Sequence, residues 1–521
     1  MEDQRGQEMT RAAAAAALAS RHICFLTDVE GNWNYVRNFV RQSTCLRLTP
    51  THDAQHPQPP EAVETDGYDE DLELNDDCFL VFGGDAGDKG GETLKCYEQL
   101  VRLKKKHPER VVLLAGNRDV NKMRFTSELD DSEMGFKTMA KETSEGPIWV
   151  PEKKRFTLKK FLASQLVAQC AASGQPVETA EEELVQLQNE ELLGPANTKV
   201  NRLKWILEHT MGSQGDFERR RKELVRRHRS SLGESATISD DAVLQSFMES
   251  VQEGGVLREY LELGSLAFVA YNTLFVHGGL ISGAGNGISS LGRVPDEPNQ
   301  EYRSVTEWVD KLNAWYLREV RAWIDRPLWT PDRTTRGGNE LLKYVLPGYP
   351  ASVVMGRHLE KSGMPTELPS DVVQRLSESG INRLIVGHTP HGTCPTVIKQ
   401  DPSEDESLTA AEAGFAEVVM CDTSYSDMQA SDSRGRAASE VVLDPNGHAH
   451  VHGVLENGRP IAFATDDPVI GQMLRDGTHV KAKLSDTLKG QEDEYLVCSV
   501  ENGFSYTYHY RKRHELQELL K

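Results

Sequence analysis

The stretch Cys78–Gly91, CFLVFGGDAGDKGG, decides the fold. Five apolar residues run without interruption into glycines and two carboxylates. An apolar run of that length bounded by turn residues predicts a strand buried on both faces. The glycines predict a tight turn that carries Asp85 and Asp88. Two segments repeat the arrangement, HICFLTD (22–28) and VVLLAGNRD (111–119). Apolar residues at helical spacing follow the first over 33–48. Leu94, Tyr97, Leu100, Val101 and Leu103 share a helix face after the second. Strand, loop, helix, strand with polar residues at the strand ends is an α/β layout, in which ligands gather at the carboxyl ends of strands.

Further out the pattern changes. Residues 49–77 are rich in Pro, Asp and Glu and read as a solvated loop. From 129 to 262 the chain is charged and helical in period, which predicts a helical insertion. LAFVAYNTLFVHGGL (266–280) restores strand character, with a hairpin in its middle. Trp308, Trp315 and Trp323 lie close to helical repeats within 304–326, a spacing expected of core packing. NRLIVGHTPHG (382–392) is a further strand ending in a polar loop, and 401–412 is acidic and expected to be exposed. The remainder is β-rich, with hairpin turns at DPNG (444–447) and ENGR (456–459).

Composition bounds the function. The chain has 521 residues, enough for about three domains or one large domain with insertions. With 38% apolar and 27% charged residues it is neither disordered nor collagen-like. No segment approaches the ~20 apolar residues of a membrane span. A net charge of -21 repels nucleic-acid backbones and argues against that class of partner. Eight scattered cysteines without a CxxC pair suit a reducing compartment, and a cytoplasmic location is expected. Acidic Glu2, Asp3 and Glu8 precede the alanine run 11–19, which favours a helical arm over a targeting peptide.

Five polar clusters follow apolar runs: Asp28-Val-Glu30-Gly-Asn32, Gly84-Asp85-Ala-Gly-Asp88-Lys89-Gly90, Gly116-Asn117-Arg118-Asp119, His277-Gly-Gly and Gly387-His388-Thr-Pro-His391. Each alone reads as a cap, a turn or a core histidine. Together they bring carboxylates, an amide and imidazoles to strand ends, a mixture that suits divalent Mg, Mn, Fe or Zn. Two such ions side by side clamp a phosphoryl group and activate a water.

In this order the clusters resemble the calcineurin-like metallophosphoesterases, and HGGL with the GDxxDxG form resembles their Ser/Thr protein phosphatase branch. The resemblance spans residues 28–391. It implies an α/β (α+β) fold, a two-sheet β-sandwich flanked by helices, here with a large helical insertion and a β-rich C-terminal part. The expected division is a helical arm (1–20), a first half of the core (21–128), the insertion (129–262), a second half of the core (263–400) and a β-rich part completing the sandwich (401–521). By resemblance Asp85 bridges two divalent ions, Asp28 holds the first, and Asn117, His277 and His388 hold the second. Lys89 stands where the family has a phosphate-binding Arg, and Asp88 where it has a supporting acid.

Two departures matter. Glu30 replaces a His ligand of the first ion, which makes that set all-carboxylate and favours Mn or Mg, with Fe or Zn as the alternatives. Arg118 replaces the His that protonates the leaving group. Arginine keeps its proton but grips phosphate, so Arg118 is expected to bind phosphate with Lys89 and Asn32. His391, three residues after His388, is the candidate to supply the missing proton. The expectation is a metal-dependent phosphoesterase, phosphoprotein phosphatase-like, that cleaves a phosphate ester or anhydride of a protein or small molecule by metal-activated water. The alternative is a catalytically weak or inactive scaffold of the same fold.

Three other signals have bland readings. The basic run Arg219–Arg229 is expected to be a helix face paired with nearby acids, although a protein partner could dock through the insertion. His448, His450 and His452 alternate on an exposed hairpin face. GAGNGISSLG (283–292) lacks the setting of a dinucleotide fingerprint and reads as a rim loop.

Overall fold

The computed structural model describes Leu18 and residues 20–51, 70–172, 190–228, 237–282, 287–400, 414–423, 436–487, 491–501 and 505–520. The expected arm, except Leu18 and Ser20, lies outside these residues, as do the acidic segment 401–412, Arg229 and the start of the 283–292 loop.

The chain is a mixed α/β structure. Its first half contributes β1 (His22–Leu26), β2 (Leu46–Pro50), β3 (Glu70–Leu74), β4 (Cys78–Phe82), β5 (Val111–Leu114) and the short β6 (Gly264–Ser265). There follow β7 (Ala267–Ala270), β8 (Thr273–Val276), β9 (Arg383–Val386), β10 (Thr396–Lys399) and β11 (Glu417–Met420). The last strands are β12 (Ala438–Leu443), β13 (Ala449–Val454), β14 (Pro460–Ala464), β15 (His479–Lys483), β16 (Glu494–Val500) and β17 (Tyr506–Lys512).

One sheet has the order β14-β13-β12-β1-β4-β5-β6, the other β10-β11-β9-β8-β7. Strands β1, β4, β5 and β6 run parallel, and so do β8, β9 and β11. Alternation explains why the sheets stack. Ile23, Phe25, Phe79 and Val81 point into a core shared with Phe275, Ile385 and Val419 of the other sheet. Cys24, Leu26, Leu80 and Phe82 point the opposite way, into a core shared with the helices Trp33–Gln42 and Thr93–Lys106. Rings lock the sheets together: Phe25 stacks on Phe275 at 5.9 Å and Phe79 on Phe268 at 5.5 Å. Trp308, Trp315 and Trp323 of the helix Val305–Asp325 are all buried. The sheet β15-β16-β17 adds Val480, Ala482 and Leu496 to the inter-sheet core.

The helix expected over 33–48 is shorter. It ends at Gln42, and Leu46–Pro50 forms a strand paired with Glu70–Leu74, with Leu46 opposite Leu74 and Leu48 opposite Leu72. The ends of the expected solvated loop therefore belong to a hairpin. Buried Glu440 on β12 is the reason. It accepts from the Thr44 amide at 2.7 Å and from the Ser43 hydroxyl, while Ser43 Oγ accepts from the Leu46 amide at 2.8 Å. That contact turns the chain out of the helix.

Between β5 and β6 the described chain is helical, including Leu158–Ala172, Asp216–Arg227, Asp240–Ser250 and Val256–Glu262. Buried ion pairs and capping contacts fasten it to the core. Glu223 accepts from the amides of Leu94 and Lys95, and Tyr260 donates to the Leu114 carbonyl at 2.7 Å. The arginines of the basic run face acids: Arg219 with Asp216, Arg220 with Glu223, Arg226 with Glu92 and Arg227 with Glu98. His452 pairs with Glu440 at 3.0 Å and His448 with Asp444 at 3.2 Å, so the alternating histidines do not share one role. No helix among the described residues is long and apolar enough to cross a membrane.

Candidate functional site

The carboxyl ends of β1, β4 and β5 in one sheet meet those of β8, β9 and β11 in the other. The loops continue the parallel ladder past the strands. Asp28 N donates to Gly84 O at 3.0 Å, Glu30 N to Asp85 O at 3.0 Å and Gly387 N to His277 O at 2.7 Å. Asp119 ties the turns together, accepting from the amides of Asp85 (2.8 Å), Ala86 (3.0 Å) and Gly116 (2.8 Å) and from the Tyr97 hydroxyl (2.6 Å). Burial, with Asp85 nearby, pushes its carboxyl up to about 6. A Cβ at Gly116 would collide with the Asp85 carboxylate, and one at Gly387 with the Asp28 carboxylate. Glycine is therefore required at both positions by close approach.

The turns are strained where the chemistry sits. Asp28, Glu30, Asp85 and His388 have φ of 50°, 43°, 56° and 66°. Left-handed backbone costs an L-residue about 1–2 kcal/mol, and such strain concentrates at functional sites.

Three ligand atoms converge. Oxygen of Asp85 and ring nitrogens of His277 and His388 lie within 4.8 Å of one another. His277 Nδ1 donates to Gly83 O at 2.7 Å, which leaves Nε2 facing Asp85 Oδ2 at 3.5 Å and Asn117 Oδ1 at 3.4 Å. A backbone carbonyl on one imidazole nitrogen fixes the tautomer that presents the other to a metal. His388 Nε2 is buried with no hydrogen-bond partner. Burial, helped by Arg357 and His277, holds His388 well below its ordinary value, so it is the neutral, ligating form. Burial disfavours charge on His277, yet the Asp85 carboxylate overrides it and lifts the imidazole to about 9. Burial likewise opposes charge on Asp85, but His277 draws it down to about 2. A divalent ion here takes the place of the proton that Asp85 holds on His277, and the donor chemistry of this pole fits one.

The opposite pole is built from the two departures. Arg118 Nε lies 3.1 Å from Glu30 Oε1 and 3.9 Å from Asp85 Oδ2, while Nη1 pairs with Asp88. The Arg118 amide also donates to Asp85 Oδ1 at 2.8 Å. Burial works against the guanidinium charge, but Asp88, Glu30 and Asp85 hold it above its ordinary value. Asp88 also accepts from the Ser213 hydroxyl, so it positions Arg118 and fastens the insertion instead of facing the cleft. Asp28 Oδ2 accepts from Thr27 Oγ1 at 2.5 Å and from the His388 amide at 2.9 Å. Burial, with Asp85 adding to it, pushes Asp28 up to about 7 against the pull of His277. Among the described residues, no converging group of three acidic, His or Cys ligands contains Asp28 or Glu30.

Two candidates are turned elsewhere. His391 is buried behind the loop, with Nδ1 on Thr396 Oγ1 at 2.8 Å, Nε2 on Gly363 O at 3.2 Å and Lys481 Nζ 3.2 Å from Nδ1. These partners hold its ring away from the residues that line the cleft, so it does not present a proton there. Asn32 caps the helix Trp33–Gln42 through Oδ1, which accepts from the Tyr35 amide at 3.0 Å; it does not line the cleft, and its Nδ2 is buried with no hydrogen-bond partner.

The poles open on a cleft of about 450 Å³. Its floor holds Glu30, Asp85, Lys89, Asn117, Arg118 and His388. The insertion supplies one wall through Trp149, His209, Met211 and Gln214, and Met355 and Arg357 line another side. The insertion wall follows a π-helical turn at Ile206–Thr210, a feature frequent at functional sites. Sequence reading missed Asp422 and Arg357 as lining residues. Asp422 follows β11 just as Asp28 follows β1, so an apolar run ending on an acid was available as its signal. Arg357 stands in an irregular segment with no such cue.

No protein-family model and no curated protein sequence matches the chain. Solved structures with partial similarity include a cold-active protein-tyrosine phosphatase of a psychrophile Shewanella sp., at 13% identity over 85% of this chain and 80% of that chain, TM-score 0.35. Another is a protein serine/threonine phosphatase from Saccharomyces cerevisiae with similarity to human phosphatase PP5, at 10% identity over 84% and 82%, TM-score 0.30. A metallophosphoesterase from Sphaerobacter thermophilus shows 12% identity over 83% and 88%, TM-score 0.24. The functional reading therefore rests on this chain's own residues.

Proposed function

We propose that the chain is a metal-dependent phosphoesterase of the calcineurin-like type, acting on a phosphate ester or anhydride of a protein or small molecule. One observation carries this reading: a converging set of ligands, Asp85, His277 and His388, reaches through Asp85 and His388 the same cleft as Lys89, Arg118 and Arg357. Asn117, 3.4 Å from His277 Nε2, completes the set that would hold a divalent ion. Such an ion supplies charge for phosphoryl oxygens and a nucleophile at neutral pH. Mixed imidazole and carboxylate donors suit Mn, Fe or Zn better than Mg, which prefers oxygen and water.

The chain's own groups do the rest. Lys89 and Arg357 line the cleft and meet phosphate charge, and Arg118 offers guanidinium N–H donors held in place by Glu30 and Asp88. None of these cations serves as the acid for the leaving group, because arginine does not release its proton, and His391 is turned away; His209, on the insertion wall, is the imidazole that a departure from the expected slope would implicate. General acid help is typically worth ~10² to 10⁴ in rate. Hydrolysis in Mn or Zn should therefore fall steeply as leaving-group pKa rises across a series of aryl phosphates. A flat series would show that an unrecognised acid serves the site.

The scaffold reading keeps one observation on its side, the neutralisation of Arg118 by carboxylates. Metal binding without hydrolysis of any aryl phosphate or phosphoanhydride would decide for it.

A further inference from the structure

We propose that the Arg118 guanidinium takes the place of one of the two cations that the resemblance implies, so that the centre holds a single divalent ion on Asp85, His277 and His388. The inference rests on the phosphoesterase reading of the same cleft and changes its inorganic content. Three observations support it. First, two of the three carboxylates expected on the first ion already lie on Arg118, Glu30 at 3.1 Å and Asp85 at 3.9 Å, and the supporting acid Asp88 pairs with it as well. Asp85 Oδ2 lies between Arg118 Nε and His277 Nε2, at 3.9 and 3.5 Å, so the carboxylate bridges a guanidinium and an imidazole.

Second, one carboxylate oxygen of the remaining ligand expected for the first ion is already occupied. Asp28 Oδ2 accepts from Thr27 and from the His388 amide, and Gly387 packs so close to it that even a methyl group would not fit. Third, the donors that converge within 4.8 Å are Asp85, His277 and His388, and neither Asp28 nor Glu30 joins them.

The two departures explain each other. A glutamate in place of an imidazole adds a negative charge, and an arginine in place of the second imidazole adds a fixed positive one. Either alone would leave an uncompensated charge in a partly buried site, whereas their pairing satisfies both. A planar guanidinium also holds its charge at any working pH and needs no loading from solution. A doubly charged ion placed on Glu30 beside it would compete for the same carboxylate and meet direct repulsion.

Metal stoichiometry tests this without reference to turnover. Purified full-length chain is equilibrated with excess Mn²⁺, and separately with Zn²⁺. It is then freed of unbound ion by gel filtration and analysed by plasma mass spectrometry. One ion per chain is the expected result. In Glu30→His/Arg118→His the expected result is two, with an exchange-coupled Mn pair in electron paramagnetic resonance. Two ions in the wild type would overturn the proposal and leave the phosphoesterase reading standing. No bound ion in the wild type would overturn both. A folded double variant that still binds one ion would show that Arg118 is not what excludes the second. The wild-type count decides the main claim even if the double variant does not fold.

Discussion

At one end of the cleft His277 and His388 aim ring nitrogens at Asp85, and His388 Nε2 has no hydrogen-bond partner. At the other end Glu30 and Asp88 are already joined through Arg118. The imidazole end is buried and the guanidinium end partly so; both are rich in titratable groups and lie at the carboxyl ends of parallel strands. They differ in whether the protein supplies its own counter-charge. The imidazole end leaves lone pairs for an external cation, and the guanidinium end closes its electrostatics internally. A site can thus keep the ligand pattern of a metal centre over half its width and replace it with an organic ion pair over the other half.

The comparison breaks most visibly at Asp85, which serves both ends. Asp85→Asn should remove the bound ion and lower phosphatase activity by about 10²-fold or more, the scale of losing a preorganised electrostatic partner. Full retention of metal by mass spectrometry would show that the imidazole end does not depend on it.

Arg118→Ala should act on stability as much as on catalysis. It leaves Asp88, 1% exposed, without its cation, and breaking such a pair costs about 3 kcal/mol. Arg118→Lys should recover only part of that, because one ammonium cannot reach Glu30 and Asp88 in the fork geometry. Thermal unfolding at neutral pH reads both. An unchanged Tm for Arg118→Ala would mean the carboxylates find other partners.

A third test separates the ligand histidines from one that only supports them. His358 lies beneath Gly279, in the loop after His277, and burial lowers it from 6.5 to about 4. The unfolded chain takes up a proton there below about pH 6.5 and the native chain only near 4, so stability is lost as pH falls between those values. The loss should reach about 3 kcal/mol at its limit. His358→Gln should flatten the pH dependence of Tm over that window. A profile identical to wild type would remove His358 from the acid response.

The smallest effect belongs to His391. His391→Gln should lower Tm through its lost contacts with Thr396 and Lys481. It should leave the dependence of rate on leaving-group pKa unchanged. A slope that steepens in this variant would restore His391 as the proton donor.

Much of the fold was legible because β1 and β4 are apolar on both faces, a pattern that only burial between two layers satisfies. The 46–50 and 70–74 strands were not legible. LRLTP buries only Leu46 and EDLEL is mostly charged, and the turn that starts the first of them is held by Glu440, far along the chain. Within the site, Asp85, His277 and His388 could be named from their place after apolar runs. The direction of His391 could not, since it follows from contacts with Gly363 and Lys481, distant in the chain.

The residue types by themselves determined that carboxylates and imidazoles gather at strand ends, because apolar runs must be buried and the polar residues that end them cannot follow. Glu30 and Arg118 could be seen to depart from a metal-binding pattern. Only the tertiary structure decided that the two departures meet, 3.1 Å apart, with Asp88 behind them. Charge pairing acts through space, and the distance between two loops whose strands, β1 and β5, lie on either side of β4 is set by sheet register and by Asp119 tying the turns together. Neither quantity is written in the local sequence.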